Sequence, residues 1–283
     1  MISAADEGFM PLARGLVQSL LAWQPRPFDA LGFFDLGLSQ ASRSWLAGHG
    51  AELVTPGWDL PVADDLRARQ PHLRALTVRP FLPRHFPGHA VYAWIDADAW
   101  VQERFALDWL LGAGRQTLAI VPELDRAYRP YASVANWRLQ RLARSFGPAA
   151  AQLGSWQMYF NAGVLAAPAD APHWAAWARH FGAALQATQG QLVCDQTALN
   201  HALWVDELPR HPLPARCNWV CHLGPPVYDA AQRKFLEPVA PHAPIGLLQL
   251  TGSTKTLRVQ VLGQPGASIG LQHGAAIEAP ETP

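Results

Sequence analysis

The sequence predicts an α/β layer fold. Short apolar runs alternate with amphipathic stretches along most of the chain. The run Ala90 to Ile95 is almost continuously apolar, as a strand buried on both faces must be. Size agrees: 283 residues, 49% hydrophobic and 16% charged, bury a full core and are too apolar for disorder. No repeat of solenoid length interrupts the alternation.

The elements follow in order. Ile2 to Ala5 reads as a strand ending at Asp6, after which Phe9, Leu12, Leu16 and Leu20 recur at helical spacing. Pro11 sits in the opening turn, where a missing N–H costs nothing. Leu31 to Phe34 is a second strand, Ser39 an N-cap for a helix ending near Leu46, and Ala51 to Val54 a third strand. A Pro-rich stretch precedes the strand Ala90 to Ile95, which stops at Asp96. Helices are expected at Gln102 to Leu111, Ser133 to Arg144, Pro172 to Leu185 and Cys194 to Leu203, with strands Leu118 to Val121 and Phe160 to Leu165 between them. From Gly263 the chain is rich in Gly, Pro and Ala without periodicity, so 263–283 reads as a loose tail behind a folded domain of 1–262.

Charge excludes several functions. Lys and Arg number 22, as do Asp and Glu, and the only lysines are Lys234 and Lys255. There is no broad electrostatic footprint for nucleic acid. No apolar run approaches the roughly 18 residues of a membrane span. Cys194, Cys217 and Cys221 cannot all pair, which excludes a disulfide scaffold. Met1 to Phe9 has no basic region ahead of an apolar stretch, so a reducing, cytoplasmic setting is expected.

The segment Trp94-Ile95-Asp96-Ala97-Asp98-Ala99-Trp100 carries the most chemistry. Two carboxylates where a buried strand ends lie at the carboxyl edge of the sheet, where open α/β folds bind ligands. They repel unless they share a cation, and hard ions such as Mg²⁺ or Mn²⁺ take such oxygens together with a substrate diphosphate. A plain strand-end turn is the alternative, since Asp is common there. Other patterns fail. Gly252 to Thr256 lacks the glycines of a P-loop, and Gly112-Ala113-Gly114 follows a helix and has Thr117 where the dinucleotide fingerprint needs glycine. Cys217, Cys221 and His222 lack a further ligand pair for zinc.

With Asp96 and Asp98 placed, the ordered segments resemble the retaining glycosyltransferases of family 8. Ala4-Ala5-Asp6-Glu7-Gly8-Phe9 resembles that family's first strand and turn, Asp96-Ala97-Asp98 its metal motif, Tyr159 to Leu165 its Phe-Asn-(Ala/Ser)-Gly segment, and Cys194 to Asn200 its Asp-Gln-Asp-x-Leu-Asn segment. Leu250 to Lys255 resembles part of a late His-x-x-Gly-x-x-Lys-Pro-Trp segment, with Gln249 in place of the histidine and Thr256-Leu257 in place of Pro-Trp. The resemblance spans roughly Ile2 to Lys255.

The resemblance implies a GT-A type nucleotide-diphospho-sugar transferase fold, a Rossmann-like mixed sheet flanked by helices. It implies a UDP-sugar donor, Mn²⁺ or Mg²⁺ as cofactor, and transfer of a hexose with retention to a saccharide, lipid-linked or protein acceptor. Ala5, Asp6, Phe9, Asp96, Gly252 and Lys255 would hold the nucleotide. Asn161, Ala162, Gly163, Asp195 and Gln196 would line the sugar pocket, with Asp195 and Gln196 catalytic. Asp96, Asp98 and Gln249 would hold the metal. The residues leave alternatives: Phe9 in the core, Asn161 in an Asx turn, Asp195 capping a helix, and Gln249 only packing its segment. Two other functions stay open, a weak or inactive nucleotide-sugar binder and a haloacid-dehalogenase-like phosphatase.

Overall fold

A computed structural model of the protein describes residues 1–129 and 131–278. In chain order the strands are β1 (Ile2–Ala5), β2 (Leu31–Asp35), β3 (Ala51–Val54), β4 (Val91–Ile95), β5 (Ala99–Val101), β6 (Leu118–Pro122), β7 (Phe160–Pro168), β8 (Arg210–Pro212), β9 (Trp219–Val220), β10 (Val227–Asp229), β11 (Lys234–Leu236), β12 (Leu247–Gln249), β13 (Arg258–Gln260), β14 (Ser268–Gly270) and β15 (Ile277–Glu278). The helices are α1 (Met10–Leu21), α2 (Gln40–Gly48), α3 (Asp64–Arg69), α4 (Arg74–Val78), α5 (Leu82–His85), α6 (Arg104–Gly114), α7 (Ala132–Phe146), α8 (Pro148–Gly154), α9 (Pro172–Ala187) and α10 (Asp195–Val205).

Seven strands form the central sheet in the order β3-β2-β1-β4-β7-β6-β8. The first four run parallel, and β7 runs against both β4 and β6. That mixture places the carboxyl ends of β1, β4 and β6 and the amino end of β7 on one edge. Consecutive strand residues point to opposite faces. Thus Phe34 and Trp94 enter the core under α9 and α10, while Phe33 and Ile95 enter the core under α1 and α6.

The ladder between β6 and β7 slips. Ile120 pairs with Leu165 but Val121 pairs with Asn161, so Ala162 and Gly163 have no partners on β6. Such an irregularity frees backbone groups and re-aims side chains. Beside this sheet, β12 pairs antiparallel with β5 and parallel with β9, which sets Gln249 opposite Ala99.

Most expected elements form within a few residues of their expected bounds. Ser39 caps α2, its Oγ accepting from the Ser42 N–H at 3.2 Å. One stretch without an expected element forms helices, and one reading needs correction. The Pro-rich stretch before β4 is helical: α5 carries proline in its first turn, as do short 3₁₀ turns at Pro71–Leu73 and Arg79–Phe81, positions that need no donor. Residues 263–278 are not a loose tail, because β13, β14 and β15 form a small sheet that buries Ala267, Ile269 and Leu271. Residues 279–283 of that expected tail lie outside the described residues.

Candidate active site

The Asp96-Ala97-Asp98 turn joins β4 to β5, and the pairing of β5 with β12 brings Gln249 beside it. Asp96 is half-buried and heavily bonded. Its Oδ1 accepts from Trp94 Nε1 at 2.7 Å and from the Arg79 guanidinium, and its Oδ2 accepts from Gln249 Nε2 at 2.8 Å. Burial pushes the Asp96 carboxyl up to about 6; Arg79 opposes that shift, while Asp98 and Asp195 add to it. Three carboxylates therefore crowd one patch.

Arg79 is the counter-ion built into it. It also donates to Asp195 Oδ2 at 2.7 Å, and its guanidinium lies 4.7 Å from the centre of the Trp94 ring. Burial works against its charge, yet Asp195 and Asp96 outweigh burial and raise its pKa. Asp195 opens α10, but its carboxylate is committed to Arg79 rather than to a helix cap.

Asp98 has a cation of its own. Lys255 Nζ lies 2.7 Å from Asp98 Oδ2, donates to the Leu250 carbonyl at 2.8 Å and stands 5.4 Å from the centre of the Phe9 ring. Gly252, at φ +58, starts the turn that returns Lys255 to this position, in a backbone region where side chains are strained. Phe9 is 41% exposed and so not core. Asp6 caps the turn that carries it, Oδ1 accepting from the Phe9 N–H at 2.9 Å, and Ala5 ends β1 just before.

On the other side of Asp96 the backbone comes close. A Cβ on Gly163 would lie 2.1 Å from Gln249 Nε2 and 2.5 Å from Asp96 Oδ2, so only glycine fits. The slip in β7 leaves the Ala162 N–H to Gln196, whose Oε1 accepts it at 2.9 Å. Asn161 Oδ1 accepts from the Gly163 N–H at 2.8 Å, the Asx turn, and from Asn218 Nδ2 at 2.9 Å. Glu123 joins the two amides, taking Asn161 Nδ2 at 2.8 Å and Gln196 Nε2 at 3.1 Å.

The donor set suits a hard divalent ion. Gln249 Oε1 is buried without a hydrogen-bond partner, on an amide whose nitrogen meets Asp96. An amide oxygen and two carboxylates are the ligands such ions prefer. Among the described residues no three His, Cys, Asp or Glu side chains gather as a metal site. Cys194, Cys217 and Cys221 are free and buried, and His222 bonds Thr251.

No protein-family model and no curated protein matches this chain. Solved structures do. The galactosyltransferase LgtC, in complex with donor and acceptor sugar analogs, superposes with a TM-score of 0.56 at 16% identity, over 89% of this chain and 87% of that one. This chain has the GT-A glycosyltransferase fold. An active-site glutamine-to-glutamate mutant of LgtC superposes with a TM-score of 0.54 at 16% identity, over 89% of this chain and 86% of that one. The bifunctional glycosyltransferase WbbM gives a TM-score of 0.54 at 16% identity, over 90% of this chain and 46% of that one. The likeness agrees with the fold that the sequence implied.

Within this GT-A fold the sequence-predicted residues form one contiguous patch, from Phe9 through Lys255, Asp98, Asp96 and Gln249 to Gly163, Ala162 and Gln196. Two further charged residues of this patch carry no sequence reading, Arg79 and Glu123. An arginine inside the apolar run Thr77-Val78-Arg79-Pro80-Phe81-Leu82 was the available signal for the first. Nothing local marks Glu123 beyond its place at the end of β6. Among the described residues no helix is long and apolar enough to cross a membrane.

Proposed function

We propose that the chain is a metal-dependent retaining glycosyltransferase that moves a hexose from a UDP-sugar to a saccharide, lipid-linked or protein acceptor. The observation that carries this reading is the Asp96-Ala97-Asp98 turn, set in a GT-A fold beside the Gln249 amide. Phe9 offers a face for the base, and Asp96, Asp98 and Gln249 would hold Mn²⁺ or Mg²⁺. A bound ion would supply charge that stabilises the departing diphosphate.

The remaining work falls to the chain itself. Lys255 leaves Asp98 for a phosphate oxygen, adding a donor where negative charge grows. Arg79 bridges Asp96 and Asp195 and keeps both carboxylates aligned. Gly163 lets the backbone approach the sugar, and Asn161, Asp195 and Gln196 orient it. Gln196 is a poor nucleophile, which favours departure and attack on one face through an oxocarbenium-like state, with retention. An active-site glutamine also occurs in LgtC, whose glutamate variant has been crystallised.

Screening UDP-sugars for Mn²⁺-dependent hydrolysis tests this reading, and proton NMR of the fresh product reads the anomer. No hydrolysis of any UDP-sugar would reject the enzyme, and an inverted anomer would reject the mechanism. Gln249 favours one second reading, a binder without turnover, because its amide N–H rather than its oxygen meets Asp96. Calorimetric UDP binding without hydrolysis would select it. The phosphatase alternative loses its basis, since its motif follows the first strand and Asp96 follows β4.

A further inference from the structure

We infer that Glu123 is a positioning residue that locks the Gln196 amide, so that its N–H and not its carbonyl oxygen is presented to the donor sugar. The inference rests on the transferase reading above and assigns a role within its site. Both ends of the amide are determined. The Ala162 N–H lost its partner on β6 when the ladder slipped, and a buried N–H must find an acceptor. Gln196 Oε1, at 2.9 Å, is that acceptor. At the other end Glu123 Oε1 is an acceptor only, so the group 3.1 Å away must be the amide nitrogen. Flipping the amide would set donor against donor and oxygen against oxygen.

Glu123 is held in turn. Its side chain is 7% exposed, Oε1 also takes Asn161 Nδ2 at 2.8 Å, and Oε2 pairs with Arg138, whose guanidinium lies 4.6 Å from the centre of the Tyr159 ring. A cavity of about 410 Å³ opens beside Gln196, Asn161 and Glu123, with Trp137 and His222 on its far walls. Glu123 is the one carboxylate among its described lining residues. The polar hydrogen that Gln196 has left is therefore its remaining amide N–H, suited to a sugar hydroxyl oxygen. Its oxygen is turned to the backbone, where it accepts the Ala162 N–H.

Three variants test this: Glu123→Gln, Gln196→Glu and the two combined. Thermal unfolding and Mn²⁺-dependent hydrolysis of UDP-glucose and UDP-galactose are measured for each. In Glu123→Gln one amide replaces two acceptor oxygens, so either Arg138 or the Gln196 and Asn161 amides meet donor against donor and the lock weakens; kcat falls about tenfold or more while donor KM stays within about twofold. Gln196→Glu sets two carboxylates face to face. In the double variant the carboxylate and amide exchange places: the carboxylate now at position 196 accepts from both the Ala162 N–H and the new amide at position 123, so Tm recovers. Its rate stays low, because position 196 no longer offers an N–H. A rate that recovers together with Tm would reduce Glu123 to a structural support and overturn the inference. Wild-type kcat in Glu123→Gln would also overturn it. If the wild type hydrolyses no UDP-sugar, the transferase reading fails on its own. The Tm values still decide the contact, and additive losses in the double variant would refute it.

Discussion

Gly163 offers the sharpest test of the site's geometry. Its backbone lies outside the left-handed region, so alanine is conformationally acceptable, and any penalty comes from contact alone. The new methyl would sit 2.1 Å from Gln249 Nε2, 2.8 Å from Gln249 Cδ and 2.5 Å from Asp96 Oδ2. None of these atoms is the free end of a mobile surface chain: Gln249 is on β12 and Asp96 closes β4. Relief requires breaking the Gln249–Asp96 hydrogen bond. Overpacking costs about 1–3 kcal/mol, and losing a hydrogen bond to a charged group about 1.5–3 kcal/mol. Together they cost about 2.5–6 kcal/mol and lower Tm by roughly 5–24 °C in a chain of this size. Mn²⁺-dependent UDP affinity falls as well, since two of the three proposed ligands move. Calorimetric unfolding and titration of Gly163→Ala measure both effects. Gly112→Ala is the control, because nothing lies within 4 Å of its Cβ. If Gly163→Ala kept the Tm and UDP affinity of the wild type, the close packing of backbone against Gln249 and Asp96 would be wrong.

Other expectations follow from the same network. Arg79→Met leaves Asp96 and Asp195 buried without their shared cation and costs about 3–5 kcal/mol in urea unfolding; an unchanged midpoint would remove Arg79 as their counter-ion. Gln249→His replaces an amide oxygen by a stronger Mn²⁺ ligand and tightens Mn²⁺ binding at fixed UDP by about tenfold, or about 1.4 kcal/mol; equal or weaker affinity would show that position 249 is no ligand. His201, stacked on Phe146 with ring centres 3.7 Å apart, is pushed down to about 4 by burial and by His180. Its folded value lies below its unfolded one, so its contribution is full above about 6.5 and is lost as pH falls towards 4. Asp96 acts in the opposite sense, so the informative quantity is the wild-type Tm profile minus that of His201→Phe. That difference should decline across this window, and a flat one would count against the assignment.

The strands and long helices were legible because their apolar periods are long enough to read, as in β4 and α9. The Asp96 turn was legible for the same reason, a buried run broken by two acids. Arg79 was not, because its partners stand 17 and 116 positions away in the chain and no local period connects them. Glu123 acts on Gln196 across 73 positions, through a slip in a ladder that sequence cannot register. The short helices before β4 were hidden by prolines, which read as breakers but are tolerated in first turns. In the C-terminal strands a period of two was present at Ala267, Ile269 and Leu271, but Gly and Pro on both sides obscured it.

The small C-terminal sheet sets where this domain can be cut. Trp100, which follows the Asp96 turn on β5, donates its Nε1 to the Leu271 carbonyl at 2.8 Å and packs edge-on to His273 at 5.3 Å. His273 in turn closes over Gly15 of α1, where an added Cβ would come within 2.9 Å of it. A boundary drawn at Leu262 would strip that cover, bare an indole beside the carboxylates and leave an apolar scar on α1. Fragment expression, tag placement and proteolytic trimming should therefore respect residue 278 rather than the end of the last segment with sequence resemblance.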